Sequence, residues 1–244
     1  MLLSPPPRPR ALDPESEREP RGSLGSGALV WLVRHGRVTA RDIAYGDDDV
    51  PLSSEGETQT DAVAESFRSV DVTFVATSPL QRARAMGEAV ARACGVPVEV
   101  DTRLAELHRG DWQGLTRTEY AARWALENEA YWRAPLTWRG HGGESEAQLV
   151  ERAWPALEAT VRGADGGIAV MTAHRQVIRA LVAAAIGIPA GISHAVELDP
   201  AHGILLRDAA SGWILERTNA ARPGTPHMAE TEDGPPEDVV TQMR

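Results

Sequence analysis

The chain has 244 residues, 42% hydrophobic and 25% charged, and its 35 acidic against 25 basic side chains give a formal net charge of −10. Every one of the 25 basic residues is arginine, which excludes a P-loop GK[ST], a Schiff-base amine and a pyridoxal-phosphate anchor. The single cysteine, Cys94, excludes an intramolecular disulfide framework and any multi-cysteine metal site, and suits a reducing, cytoplasmic setting.

Residues 1–27 are rich in Pro, Arg, Glu, Ser and Gly and poor in large apolar side chains, a composition that predicts a flexible N-terminal tail. Its apolar stretch is too short for a secretion signal. No apolar run approaches the roughly 20 residues that span a bilayer, so no membrane association is expected. The acidic balance also repels nucleic-acid backbones, so any anion site must rest on a local arginine cluster.

ALVWLV (28–33), VTFVAT (72–77) and GIAVMTA (167–173) are short, β-branched runs of the kind buried on both faces of a largely parallel sheet. Between and after them, helical spacing covers 54–68, 79–94, 116–130, 144–162 and 175–187, the last closing at Gly187 with Pro189 beyond. HAVELD, GILLRD and WILERT read as late strands able to extend the sheet antiparallel at one edge. Residues 219–244 predict a second, acidic tail, leaving 28–218 as one domain. The alternation predicts an α/β fold: a three-layer sandwich with a mostly parallel central sheet and helices on both faces.

In such sheets the ligand crevice lies beyond the carboxyl ends of the strands. Arg34-His35-Gly36, Ser78 to Arg82, and His174-Arg175 are therefore expected to converge. Gly36 would let the backbone approach a ligand, and Arg34 offers a planar fork to phosphate oxygens. Ser78 reads as a helix cap with Pro79 in first position and Arg82 one turn in, at an end that already favours anions.

Taken in order, these residues resemble the histidine phosphatase superfamily, in its phosphoglycerate-mutase-like branch. LVRHGRV carries the RHG motif. AYGDDDVPLSSEG resembles the G-x-x-D-x-P-L-[ST]-x-x-G segment through Gly46, Asp49, Pro51, Leu52, Ser53 and Gly56. ATSPLQRARAMGEA, RLAELHRGDWQGLT, HGGES and AVMTAHRQVIRAL are similar to four further segments of the family, and the matches run from 29 to 181.

The resemblance implies that His35 is the nucleophile and becomes a transient phosphohistidine. Arg34, Arg82 and His174 would hold the phosphoryl group, and Glu106 would serve as general acid and later as base. The side-chain chemistry suits these roles. A neutral imidazole attacks phosphorus through one nitrogen while a backbone carbonyl holds the other. Fixed guanidiniums supply the positive charge that phosphoryl transfer needs, so neither metal nor cofactor is expected.

The sequence departs from common members around the substrate. Arg37 and Arg41 stand near positions usually acidic or amide, and Arg175 stands where many members have glycine; each is a candidate for a second anionic group. Only 37 residues separate Glu106 from Glu144, and they include His108, Arg109, Trp112, Tyr131, Trp132, Trp138, Arg139 and His141. Arg109 is a further candidate for substrate contact, and the aromatics, with Trp124, for an apolar wall or simple packing. The resemblance implies a longer insertion here in true mutases, so the expected partner is a small phosphate ester that is hydrolysed. A mutase-type phosphotransferase and a non-catalytic phospho-ligand module are the alternatives, and a homodimer is left open.

Overall fold

The computed structural model describes residues 20–40, 42–133, 137, 142–189 and 195–224. Six strands, β1 (Leu29–Arg34), β2 (Val72–Thr77), β3 (Val98–Val100), β4 (Ile168–Ala173), β5 (Gly203–Ala209) and β6 (Gly212–Ala220), form one sheet in the order β3-β2-β4-β1-β5-β6. The first four run parallel, and β5 and β6 close one edge antiparallel. The three buried runs are thus β1, β2 and β4, and GILLRD and WILERT fall in β5 and β6.

HAVELD does not form a strand over its described residues, 195–199. The carbonyls of Val196 and Leu198 accept instead from Arg179 Nε at 2.6 Å and Arg34 Nη1 at 2.7 Å, so this backbone serves arginines rather than a ladder. β3 was not anticipated, because three edge residues carry too little alternation to register.

Helices α1 (Ser54–Phe67), α2 (Gln81–Cys94), α5 (Glu146–Ala164) and α6 (Arg175–Ile186) fall where helical spacing predicts them. The expected helix over 116–130 is instead two, α3 (Arg117–Arg123) and α4 (Ala125–Arg133). Trp124 leaves the helical region (φ −131°, ψ 60°), and the Arg123 guanidinium covers its ring at 4.5 Å.

Alternate strand residues face opposite layers. Trp31, Val33, Val75 and Val170 pack with Val63 and Phe67 of α1 and Met86 and Val90 of α2. Val30, Leu32, Ala76 and Met171 face Leu149 and Leu157 of α5 and Ile178 and Leu181 of α6. Each fully buried aliphatic or aromatic side chain contributes about 1.5–3 kcal/mol, so it is this two-sided burial that fixes the sandwich.

Residues 20–27, placed by composition in the tail, lie against this core. Asp208 is fully buried and takes its hydrogen bonds from Leu24 N, Ser26 N and Ser26 Oγ, each at 2.7 Å. Trp213 Nε1 donates to Gly22 O at 3.2 Å, and the Arg21 guanidinium sits 5.4 Å from the Trp154 ring centre. A buried carboxylate without donors is costly, and this segment supplies them.

The register places the site. Arg34 pairs with Ala173 and Thr77 with Thr172 across the adjacent strands β1, β4 and β2. The residues that follow, His35, His174 and Ser78, therefore emerge side by side at neighbouring strand ends.

Candidate active site

The His35 and His174 rings lie with centroids 5.2 Å apart, tilted by 59°. His35 Nδ1 is 2.7 Å from its neighbour's carbonyl, Gly36 O. A carbonyl only accepts, so Nδ1 carries the proton and Nε2 keeps its lone pair. His174 Nε2 is 2.7 Å from Ser78 Oγ. Ser78 Oγ is thus the partner of the second histidine and also accepts from Leu80 N at 3.3 Å, but it does not hold the cap position itself: α2 begins at Gln81, and Leu80 is the cap residue.

Arg82 lies in the first turn of α2 and is almost fully buried. Its guanidinium donates to Asp48 O at 2.6 Å and Gly46 O at 2.8 Å. Gly46 adopts φ +54°, and a Cβ there would meet the Gln113 side chain at 2.6 Å, so this turn requires glycine. Gly87 lets α2 approach the sheet: a Cβ there would lie 2.6 Å from Thr77 Cβ. Arg34 closes β1 and donates through Nη1 to Leu198 O, while its Nε and His174 Nδ1 are buried without a hydrogen-bond partner.

Burial, reinforced by Arg34 and Arg82, pushes the His35 imidazole down from 6.5 to about 3. Burial, together with His35 and Arg82, holds His174 well below its ordinary value. Both rings are neutral around pH 7. Burial and the neighbouring Arg175 lower Arg34 to about 9, and burial lowers Arg82 against the pull of Glu106.

Glu106 follows the short turn Thr102–Leu104 and is held at both oxygens. Oε1 accepts from Leu107 N at 2.9 Å and Oε2 from Gln176 N at 3.3 Å, in the first turn of α6. Helix α6 thus presents its N-terminal amide dipoles to this carboxyl.

Arg34, His35, Arg82 and Glu106 line a cavity of about 450 Å³, and the fully buried His174 and Ser78 are not part of its wall. Six arginines reach it, Arg34, Arg82, Arg109, Arg117, Arg175 and Arg179, against two carboxylates, Asp42 and Glu106. Tyr120 and Tyr131 form its aromatic wall; Trp112 backs both, stacked on Tyr120 at 4.5 Å and edge-on to Tyr131 at 6.0 Å. The Arg109 guanidinium lies 5.4 Å from the Tyr131 ring centre, and Gln176 Nε2 reaches Tyr131 Oη at 3.3 Å. Arg179 is lowered to about 10 by burial and by Arg175, one turn before it on α6.

The other candidates are placed differently. Arg37 is not part of the cavity wall: its Nε pairs with Glu55 at 2.7 Å. A Cβ on Gly36 would lie 2.5 Å from Gly56 O, so this glycine serves the packing of the His35 loop on α1 rather than approach to a ligand. Arg175 is exposed and lines the cavity mouth. His108 pairs with Asp47 at 2.8 Å in an adjoining groove. Arg41, Trp138, Arg139, His141 and the Trp132 side chain lie outside the described residues.

Sequence reasoning missed Arg179, Arg117, Tyr120 and Gln176. Arg179 is legible in hindsight, four residues after Arg175 on one helix face. Arg117 and Tyr120 carry no local signal, because the bridge between Ile43 and Thr116 is what brings α3 to the site. Among the described residues, no group of three or more His, Cys, Asp or Glu is arranged to hold a metal, and no helix is long and apolar enough to cross a membrane.

Comparison with known proteins identifies the family and the fold. A model described as the histidine phosphatase superfamily (branch 1) matches residues 30–221. A glucosyl-3-phosphoglycerate phosphatase of Mycolicibacterium vanbaalenii is 36% identical over 167 residues, 65% of this chain and 74% of the relative. A probable phosphoglycerate mutase of Salmonella choleraesuis is 31% identical over 199 residues, 77% and 90% of the two chains. The solved structure of a mycobacterial glucosyl-3-phosphoglycerate phosphatase superposes with a TM-score of 0.71 at 30% identity, covering 79% of this chain and 98% of that one.

Proposed function

The chain belongs to branch 1 of the histidine phosphatase superfamily, and from that premise we propose that it hydrolyses a small phosphomonoester through a phosphohistidine on His35. The observation that carries this reading is the Nδ1–Gly36 hydrogen bond, which leaves His35 Nε2 with a free lone pair in an arginine-lined cavity. A ring held neutral by burial and by Arg34 and Arg82 stays nucleophilic at physiological pH.

In the first step His35 Nε2 bonds to phosphorus as the ester P–O bond breaks. The leaving alkoxide takes the proton of the Glu106 carboxyl. Arg34, Arg82 and His174 hold the equatorial oxygens, and the unpartnered Arg34 Nε and His174 Nδ1 are buried polar atoms of the same cluster. In the second step the Glu106 carboxylate takes a proton from water, the water oxygen bonds to phosphorus, and His35 leaves with the ring neutral again. Charge supplied by guanidiniums makes a metal ion unnecessary.

The charge in the cavity also bears on the substrate. With Glu106 carrying its proton, a phosphoryl dianion together with Asp42 offsets three of the six guanidinium charges. An alcohol that carries an anionic group of its own suits the excess that remains, and Arg175 and Arg179 are the pair we assign to it. The name of the mycobacterial relatives, glucosyl-3-phosphoglycerate phosphatase, describes such an ester, a glycerate with a free carboxylate. The single cysteine supports a cytoplasmic setting.

The test is phosphate release from a panel of phosphorylated metabolites in the presence of a chelator, with an acid-labile phosphoenzyme trapped by rapid quench. Release by the natural chain and its loss in His35→Ala is the expected result. Activity retained in His35→Ala overturns the assignment, and isomerised ester without free phosphate turns it into a mutase.

A further inference from the structure

The stretch that carries Glu106 has no regular structure between the turn at Thr102–Leu104 and Arg109. The carbonyl of Arg103 in that turn and those of Ala105 and Glu106 beyond it all meet one side chain, Arg152 of α5. Nη1 donates to Arg103 O at 2.6 Å and to Ala105 O at 2.9 Å, and Nη2 reaches Glu106 O at 3.5 Å. The other edge of the same guanidinium closes on Glu144, Nε at 2.9 Å and Nη2 at 2.7 Å.

Glu144 is fixed in its turn. Its N–H donates to His108 O at 2.9 Å, and the next residue, Ser145, caps α5 in a reciprocal box with Gln148. The Arg152 and Glu144 side chains are only 27% and 15% exposed, so the fork is shielded and firmer than an open surface pair. Glu106 lines the main cavity and, on its other side, a groove shared with Glu144 and Arg152. Its carboxyl is set by the amides of Leu107 and Gln176, and its backbone is held from behind by Arg152.

We propose that Arg152, locked by Glu144, is a positioning residue that fixes where the Glu106 carboxyl stands relative to the leaving oxygen. The proposal rests on the reading of Glu106 as the proton donor. Arg152 does not line the main cavity; it acts through the loop. A planar five-donor fork is what the geometry uses, since it bridges a carboxylate and three carbonyls at once, which an ammonium group cannot span.

The role has a signature that a general loss of folding lacks. An alkyl phosphate expels an alkoxide and depends on the Glu106 proton, whereas p-nitrophenyl phosphate expels a stable phenolate and depends on it little. Rapid-quench measurement of phosphoenzyme formation in single turnover isolates this step for glycerol 3-phosphate and for p-nitrophenyl phosphate. In Arg152→Gln the ratio of alkyl to aryl rate is expected to fall by about 10- to 100-fold, the scale of an ångström-sized displacement of a catalytic group. Arg152→Lys and Glu144→Gln are expected to shift the ratio in the same direction by less, with melting temperatures recorded alongside.

An equal loss on both substrates, or an unchanged ratio in folded Arg152→Gln and Glu144→Gln, overturns the positioning role. If the natural chain forms no phosphoenzyme from either ester, it is the phosphatase reading that falls.

Discussion

The imidazoles of His35 and His174 stand 5.2 Å apart, and burial keeps both uncharged in the folded chain. Unfolded, each returns to the ordinary value of 6.5. Between about 3 and 6.5 the unfolded chain therefore binds more protons at His35 than the native one, so stability rises with pH across that window and levels off above it. Where the unfolded ring is protonated and the native ring is not, each histidine contributes a slope of about 1.4 kcal/mol per pH unit. Denaturant midpoints at pH 7 and pH 5 check this, with the carboxylate background removed by comparison with His35→Asn. The natural chain should lose more stability on acidification than the variant; parallel losses would show that His35 is protonated in the folded state.

Gly36 and Gly56 meet backbone to backbone, and this contact sets the height of the His35 loop over the sheet. A Cβ at Gly36 would fall 2.5 Å from Gly56 O, and one at Gly56 would fall 2.1 Å from Arg37 O. Main-chain atoms cannot rotate away as a flexible side-chain tip can. Gly36→Ala is expected to shift the loop and lower kcat/KM by about 100-fold, while the two-sided core keeps the chain folded. Wild-type kcat/KM in a folded Gly36→Ala protein would contradict this account.

Ser78 holds His174 at Nε2 in a fully buried pocket. Ser78→Ala leaves that nitrogen without its partner, a loss of about 1–3 kcal/mol for a buried polar group. Because the two side chains act as one unit, His174→Gln and Ser78→Ala should not add. The coupling is read from unfolding free energies of both single variants and the double variant, and strict additivity would mean that the hydrogen bond carries no energy.

The fold and the family were legible because the signals that define them are local. ALVWLV, VTFVAT and GIAVMTA are each a strand long, and the residues just beyond them deliver His35, Ser78 and His174 to one edge. What escaped depended on contacts far apart in sequence. HAVELD has strand-like residues, but its carbonyls serve Arg34 and Arg179. Ser78 reads as a cap because serine before proline usually is one, whereas its oxygen finds a histidine 96 positions away. The aromatic wall required Tyr120, brought in by the Ile43–Thr116 bridge, and nothing in the local pattern of α3 signals that contact.

Arg175 and Arg179 lie one turn apart on α6, at the cavity, and Arg179 is already committed through Nε to Val196 O. Its two terminal nitrogens are the part of the fork left for a ligand. Burial first and Arg175 second depress Arg179 to about 10 against the pull of Tyr131, Glu106 and Glu197, and an anion between the two guanidiniums would offset their repulsion. An ester with a carboxylate on its alcohol should therefore be preferred to its neutral analogue. The matched pair 3-phosphoglycerate and glycerol 3-phosphate differs at that group, and kcat/KM is expected to favour the former. One charge-assisted hydrogen bond contributes about 1.5–3 kcal/mol, so Arg179→Gln and Arg175→Gln should each reduce the preference about tenfold or more. Loss of activity on both esters in equal proportion would instead mean that these arginines serve the phosphoryl group itself, as their proximity to Arg34 allows.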